Sequence, residues 1–408
     1  MYNLVSKGLL LPGTLPEITS TLDKKRLMMY NSRSRSKTYM KIFLIGQKGI
    51  PAKNGGVEKH VENLALRLAK KGHEVFAYAR NNYQAEKLTN YQGVNIINLP
   101  SIGTKNLDAI SHTFFACLDI IFRRKPDVVH FHSVGPSSLI LLIKLFRPRL
   151  KVVFTFHCQD YRHQKWGRMA RWYLKLGEKI GCHFSDKTIT ISKELKSYAK
   201  EVYKIEAAYI PNGAEKVSET GDDKLSMFNL EKGKYLVSIC RLVRHKGIHY
   251  LIKAYQEMAT EKKLVIVGDG AFTDEYVSEL KKLASDNKNI IFTGNQSGQI
   301  LSQLYANAYA FVQPSEYEGL SVALLEAMSY GLPCVISDIP ANLEAAGGNA
   351  LVFKNKDSED LKNKLTELIS NPGLASELGR KIRERANTEY NWETIVDNTE
   401  KLYNELKK

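Results

Sequence analysis

From Met40 the chain alternates short apolar runs with longer stretches in which apolar positions recur every three or four residues. MKIFLIG opens the pattern, the glycine-rich QKGIPAKNGG follows, and Val57, Val61, Leu64, Ala65 and Leu68 then share one helical stripe. This order predicts strand, loop and helix. EVFAYA, VNIINL, DVVHFH, KVVFTFH and KTITIS read as further strands, and their mostly apolar character suits a parallel sheet covered on both faces. A first α/β domain over residues 40–211 is expected. The polar IPNGAEKVSETGDDK, residues 210–224, breaks the rhythm as a linker or peripheral loop.

The pattern resumes with YLVSICRL and continues through KLVIVGDG, NIIFTGN, AYAFVQPS and PCVISD. Helical periodicity separates these strands at residues 249–259, 274–284, 297–308 and 320–330, and recurs over 357–369 and 375–389. A second doubly wound, Rossmann-like domain over residues 212–388 is therefore expected. Two such units in tandem face each other across a cleft at the carboxyl ends of their strands, the default ligand site of this architecture. A last helical pattern runs from Trp392 to Leu406, within residues 389–408.

Composition narrows the partners. Fifty-nine Lys plus Arg against 43 Asp plus Glu give a formal charge of +16, which favours anionic ligands such as nucleotides or acidic lipids. Nucleic acid shares that charge, but no nucleic-acid motif or aromatic platform accompanies it, so nucleic acid is not an expected partner. The five cysteines are scattered without zinc or disulfide spacing, which fits a reducing cytoplasm. Apolar runs near residues 114–122 and 139–143 stop well short of the roughly 20 residues that span a bilayer. Residues 1–39 carry seven basic and two acidic side chains and lack a secretory pattern. They are read as a flexible basic leader, either an extension with its own role or sequence upstream of the true start.

Candidate chemistry gathers at the predicted strand ends. Gly49, Gly55 and Gly56 allow close backbone approach where a helix begins and unpaired N–H groups favour an anion, although a purely structural turn uses the same residues. The Rossmann dinucleotide fingerprint is absent, and the NGGVE ending argues against a nicotinamide cofactor. Gly268 and Gly270 in VIVGDG serve either a turn or close packing against a nucleotide. In RLVRHKG, Arg241 follows a strand and Lys246 precedes a helix, so a phosphate-binding fork and a mobile point charge project from one loop; Arg244 reads as surface. PSEYEGLSVALLEAM then presents Glu316, Glu318 and Glu326 around an apolar run, with Glu318 in the loop and Glu326 on the helix. Neither His130 with His132 nor His157 with Cys158 supplies enough ligands for a metal.

Taken together, Arg241 with Lys246, the VGDG turn, and Glu318 followed by Glu326 in PSEYEGLSVALLEAMSYGLPCV resemble retaining family 4 glycosyltransferases of the GT-B fold. IGQKGIPAKNGGVEKHVENLA resembles bacterial polysaccharide-assembly members, including rhamnosyltransferase-like ones. The resemblance runs from Met40 to the chain end. It implies metal-independent transfer of a hexosyl or deoxyhexosyl group from a nucleotide-diphosphate sugar to a hydroxyl of a glycan or lipid-linked acceptor in cell-surface polysaccharide synthesis. Arg241 and Lys246 would hold the diphosphate, Glu318 would orient the sugar, and Glu326 would hold the ribose. Backbone groups of Gly319, Leu320 and Ser321 would meet phosphate or sugar, with Ser321 standing where many members have glycine. His157 would face donor sugar and acceptor, and residues 389–408 would return to the first domain as a closing helix.

No cofactor is implied beyond the donor. Residues 53–56 and 161–173 are expected to meet the acceptor, and Lys165, Trp166, Arg168, Arg171, Trp172 and Lys175 mix basic tips with aromatic bodies suited to an anionic membrane surface. The expected location is cytoplasmic, peripheral to the inner membrane face. A non-hydrolysing nucleotide-sugar epimerase is the main alternative, and a binding-only relative is a second.

Overall fold

The computed structural model describes residues 39–407, apart from residues 54, 84–85, 105–106, 163–165, 216, 218–219 and 271–272. The leader, Tyr39 excepted, and Lys165 lie outside the described residues. The first eight strands are β1 (Lys41–Ile45), β2 (Glu74–Arg80), β3 (Asn90–Tyr91), β4 (Val94–Leu99), β5 (Val128–His132), β6 (Lys151–Phe156), β7 (Lys187–Thr190) and β8 (Ala208–Tyr209). Six more follow: β9 (Tyr235–Ile239), β10 (Lys263–Val267), β11 (Ile290–Gly294), β12 (Ala310–Gln313), β13 (Cys334–Ser337) and β14 (Leu351–Phe353). The helices of the first half are α1 (Gly56–Lys70), α2 (Asp108–Arg123), α3 (Val134–Ser137), α4 (Ile140–Phe146), α5 (Arg168–Phe184) and α6 (Lys193–Tyr203). Those of the second are α7 (Ile248–Gln256), α8 (Asp274–Leu283), α9 (Gly298–Ala306), α10 (Val322–Ser329), α11 (Pro340–Ala346), α12 (Ser358–Ser370), α13 (Pro372–Glu389) and α14 (Trp392–Leu406).

Two sheets result. The first runs β3-β4-β2-β1-β5-β6-β7-β8 and the second β11-β10-β9-β12-β13-β14. Every pairing is parallel except β3 with β4. Strand order reverses beside β1 and β9, so the loops leaving β1, β5, β9 and β12 open onto the switch points where α/β sheets bind ligands.

Alternation along the first sheet sends side chains to two cores. Phe43, Ile45, Phe131 and Phe154 pack with Ile120, Ile140, Leu174 and Ile180 from α2, α4 and α5. Ile42, Leu44, Val128 and Val153 pack with Leu64 and Leu68 of α1 on the other face. The final helix joins that second layer: Trp392, Ile395, Val396 and Tyr403 of α14 are buried there. Asn391 caps α14 by accepting from the Glu393 amide at 2.8 Å, and Ala214 bridges to Asn391. Tyr403 Oη lies 2.6 Å from His130 Nδ1, joining the last helix to the middle of the first sheet.

Most strand and helix signals match elements within a residue or two. The helix predicted over 320–330 begins later, at Val322, because the Ser321 hydroxyl accepts from the Leu324 amide at 3.3 Å and fixes the helix start. β3, β8 and β14 are two or three residues long, too short for a periodic signal.

Candidate active site

Close backbone packing builds the floor of the site. Gly46, just after β1, adopts φ 109°, and a Cβ there would sit 2.1 Å from the His132 carbonyl oxygen. After β10, Gly268 adopts φ 133°, and its Cβ would stand 1.8 Å from the Cys240 carbonyl oxygen. Only glycine permits both the left-handed backbone and the approach. Gly55 has φ 100° beside the Glu58 carboxylate, whose Oε1 accepts from the Lys48 amide at 3.3 Å. Gly56 begins α1, and a Cβ added there would stand 3.4 Å from Val322 at the start of α10. Gly270 donates its amide to Asp269 Oδ1 at 2.8 Å within the turn after β10.

The loop after β9 and the loop after β12 carry the charged groups. Arg241 is exposed and has no carboxylate partner among the described residues. Lys246 ends a short 3-10 turn, and its ammonium pairs with Glu318, whose Oε1 also accepts from Ser315 Oγ at 2.7 Å. Arg241 and Glu318 both bear electrostatically on the Cys158 thiol of the first domain. Burial, followed by the nearby Asp160 carboxylate, pushes that thiol well above its usual range and keeps it protonated. Arg244 instead pairs with Glu279 over the Tyr276 ring, outside the charged group.

Glu326 projects from α10, accepts from Tyr305 Oη at 3.0 Å and forms an ion pair with Lys59 of α1. This pair crosses from one sheet unit to the other. Three further bridges cross nearby: Asn212 Nδ2 donates to the Leu320 carbonyl at 2.9 Å, Gln159 N donates to Tyr317 Oη at 3.1 Å, and the Glu344 carboxylate accepts from the Lys193 amide at 2.8 Å. Gly319 makes the tightest crossing. A Cβ on it would lie 2.0 Å from the His157 carbonyl oxygen. Gly319→Ala is thus expected to force the two sheet units apart; small-angle scattering should show a larger radius of gyration, and an unchanged one would count against this reading of the contact.

Ser321 has a local explanation. Its hydroxyl donates to Gln313 Oε1 at 2.7 Å while capping α10, so both functions of the side chain are used inside the second domain. Leu320 is buried, and its carbonyl is the one that accepts from Asn212. Glu316, read as a polar loop residue, is anchored: it accepts from Tyr250 Oη at 3.1 Å and pairs with Lys356 at 3.2 Å.

His157 follows β6 and is buried. Its Nε2 lies 3.1 Å from His132 Nδ1, and the ligating atoms of His60, His132 and His157 all fall within 4.8 Å of one another. Taken in pairs, the histidines of the sequence offer too few ligands for a metal; the fold adds His60 from α1, so that three ring nitrogens converge. His132 Nδ1 and His157 Nε2 satisfy each other, whereas His60 Nδ1 and His132 Nε2 are buried without a hydrogen-bond partner among the described residues. The sequence signal for His60 was a histidine beside the apolar stripe of a predicted helix. Lys59, Asn212 and Tyr305 had no comparable signal.

Burial pushes His60 down to about 4 and His130 to about 3, and holds His132 and His157 well below the usual histidine range. The sign follows from linkage. Below about 6.5 the unfolded chain takes up protons that these folded imidazoles refuse, so stability present above that pH is lost as pH falls toward 4. Unfolding free energy is expected to drop by more than about 1 kcal/mol between pH 6.5 and 5.5 in urea titrations; a flat profile would contradict neutral burial.

Near the start of α5, Tyr161, Arg162, Arg171, Trp172 and Lys175 line an open pocket of about 480 Å³. Arg162 stacks over Tyr317, 5.1 Å from the ring centre, so the pocket adjoins the loop bearing Glu318. In the other expected acceptor segment, Lys53 donates its amide to Tyr83 Oη at 2.7 Å, and residue 54 lies outside the described residues.

Comparison with known proteins agrees with this construction. The model of Glycosyltransferase Family 4 matches residues 54–216, and that of Glycosyl transferases group 1 matches residues 223–386. The chain is a GT-B-fold glycosyltransferase related to both groups. The glycosyltransferase is 26% identical over 359 residues to an uncharacterised glycosyltransferase of Methanocaldococcus jannaschii, covering 86% of this chain and 95% of the relative. Its fold superposes on sucrose-phosphate synthase from Thermosynechococcus elongatus with a TM-score of 0.78 at 21% identity, covering 90% of this chain and 99% of the other. Anabaena HepE in complex with UDP and glucose gives 0.73 at 16% identity, covering 90% of this chain and all of the other.

Proposed function

We propose that the protein is a retaining, metal-independent glycosyltransferase that moves a hexosyl or deoxyhexosyl group from a nucleotide-diphosphate sugar to a hydroxyl of a glycan or lipid-linked acceptor, on the cytoplasmic side during cell-surface polysaccharide synthesis. The observation that supports the reading is that Arg241, without a carboxylate partner among the described residues, and the Lys246–Glu318 pair stand on loops of the second domain, while Gly319, next to Glu318, packs against His157 and Cys158 of the first. In this reading Arg241 and Lys246 bind the diphosphate and stabilise the charge that grows as the sugar bond breaks. Lys246 exchanges its Glu318 partner for phosphate, which releases the carboxylate to orient the sugar. Glu326 holds the ribose, and the backbone at Gly319, Leu320 and Ser321 meets phosphate or sugar. Gly55, Gly56, Gly268 and Gly270 let backbone approach the donor.

His157 donates to the donor sugar from the first domain. Buried and neutral, it can supply one N–H without adding positive charge. The departing phosphate, kept beside the anomeric carbon, accepts the acceptor's proton, so retention needs no protein nucleophile; the protein supplies alignment and charge stabilisation. The UDP and glucose bound to Anabaena HepE support a nucleotide-sugar donor. Calorimetric titration with UDP, GDP and dTDP, followed by product analysis with each matching sugar donor, tests the proposal. Released nucleotide together with a new glycoside supports it; an isomerised donor alone would favour an epimerase.

A further inference from the structure

The helices α2, α4 and α5 each have two apolar stripes where a surface helix of a soluble domain ordinarily has one. The inner stripe, including Ile120, Ile143 and Leu174, is buried against the first sheet. An outer stripe is left bare: Phe122 is 71% exposed, Leu145 75%, Phe146 54%, Met169 83% and Trp172 65%. Ten of the 16 exposed large hydrophobic residues among the described ones lie on these three helices, a concentration rather than the usual scatter. The helices pack together, α4 against both α2 and α5, and the Phe122 and Phe146 rings meet at 6.4 Å.

Charge selects the occupant. Arg123, Arg149, Arg168, Arg171, Lys175 and Lys179 are exposed on or beside the same helices. The carboxylates there are all engaged: Asp108 with Arg80, Asp119 with Arg124, and Glu178 with Tyr198 and Tyr203. A second copy of the chain, docked by two-fold symmetry, would set this basic rim against itself. An acidic lipid surface complements it, taking aromatic and aliphatic side chains at the acyl boundary and basic ones at the headgroups.

We propose that the outer face of α2, α4 and α5 is a docking surface for an anionic bilayer. This extends the expected contact at residues 161–173 into a three-helix platform and deepens the lipid-linked acceptor reading, on which its role in acceptor delivery rests. Trp172 belongs both to the platform and to the pocket beside Tyr317, so an acceptor headgroup held at the membrane has a route from the platform to the loop of Glu318.

Co-sedimentation of the full chain with vesicles of equal parts phosphatidylglycerol and phosphatidylcholine, and with phosphatidylcholine alone, tests the proposal. Binding to the anionic vesicles is expected, weakening with salt. The combined variant Phe122→Ser, Leu145→Ser, Phe146→Ser removes exposed groups only and should bind about tenfold more weakly or worse, while its nucleoside-diphosphate affinity stays at the parent value. No vesicle binding by the parent, or equal binding by the variant, would overturn the proposal. A parent dimer that the variant dissolves, without vesicle binding, would overturn it in favour of self-association. Vesicle binding without nucleotide binding would leave the docking surface standing and remove the transferase reading alone.

Discussion

Arg241→Ala is expected to lower the rate of sugar transfer by about a hundredfold to a thousandfold, and Lys246→Ala to have an effect of the same order. Each removes a cation placed where negative charge grows on the departing diphosphate, so the loss should appear mainly in kcat. The two should differ in one respect. Arg241 has no carboxylate partner among the described residues, whereas removing Lys246 strands the Glu318 carboxylate in a site where that side chain is only 10% exposed. Lys246→Ala is consequently expected to lower thermal stability as well, and Arg241→Ala to leave it nearly unchanged. Steady-state kinetics with thermal denaturation reads both effects. Full activity in Arg241→Ala would remove it from the diphosphate site.

The second large effect is expected at Glu326. A carboxylate that accepts from two ribose hydroxyls contributes about 1.5–3 kcal/mol, so Glu326→Gln should raise the donor KM by about tenfold to a hundredfold. Its kcat should change far less, because the ribose is remote from the breaking bond. Glu316→Gln is the control: its ties to Tyr250 and Lys356 anchor the loop that leads into the helix of Glu326. If both variants raised KM equally, loop integrity rather than ribose binding would explain the result.

The reach of the sequence follows from what periodicity encodes. The parallel strands and the flanking helices were legible because burial on two faces leaves nearly continuous apolar runs, and Gly268 because close backbone approach demands glycine; the strand order that sets the two switch points, and the role of Gly46, were not. Arg241, Lys246 and Glu318 were legible as strand-end residues, and the fold brings Lys246 and Glu318 into contact. The Lys59–Glu326 pair, the Asn212–Leu320 bond and the meeting of His60 with His132 and His157 were not. Each depends on how elements distant in sequence come together, which no local pattern specifies. The outer stripe on α2, α4 and α5 was only partly visible, because a helix apolar on two sides looks in sequence like a buried one.

Transfer of a sugar with its anomeric configuration kept can be observed directly. The most direct measurement combines the full chain, each candidate nucleotide sugar and a membrane lipid extract, and resolves the product by nuclear magnetic resonance. One nucleoside diphosphate released for each glycoside formed is expected, with the new linkage in the donor's anomeric configuration. An inverted linkage, or an isomerised nucleotide sugar with no glycoside, would contradict it.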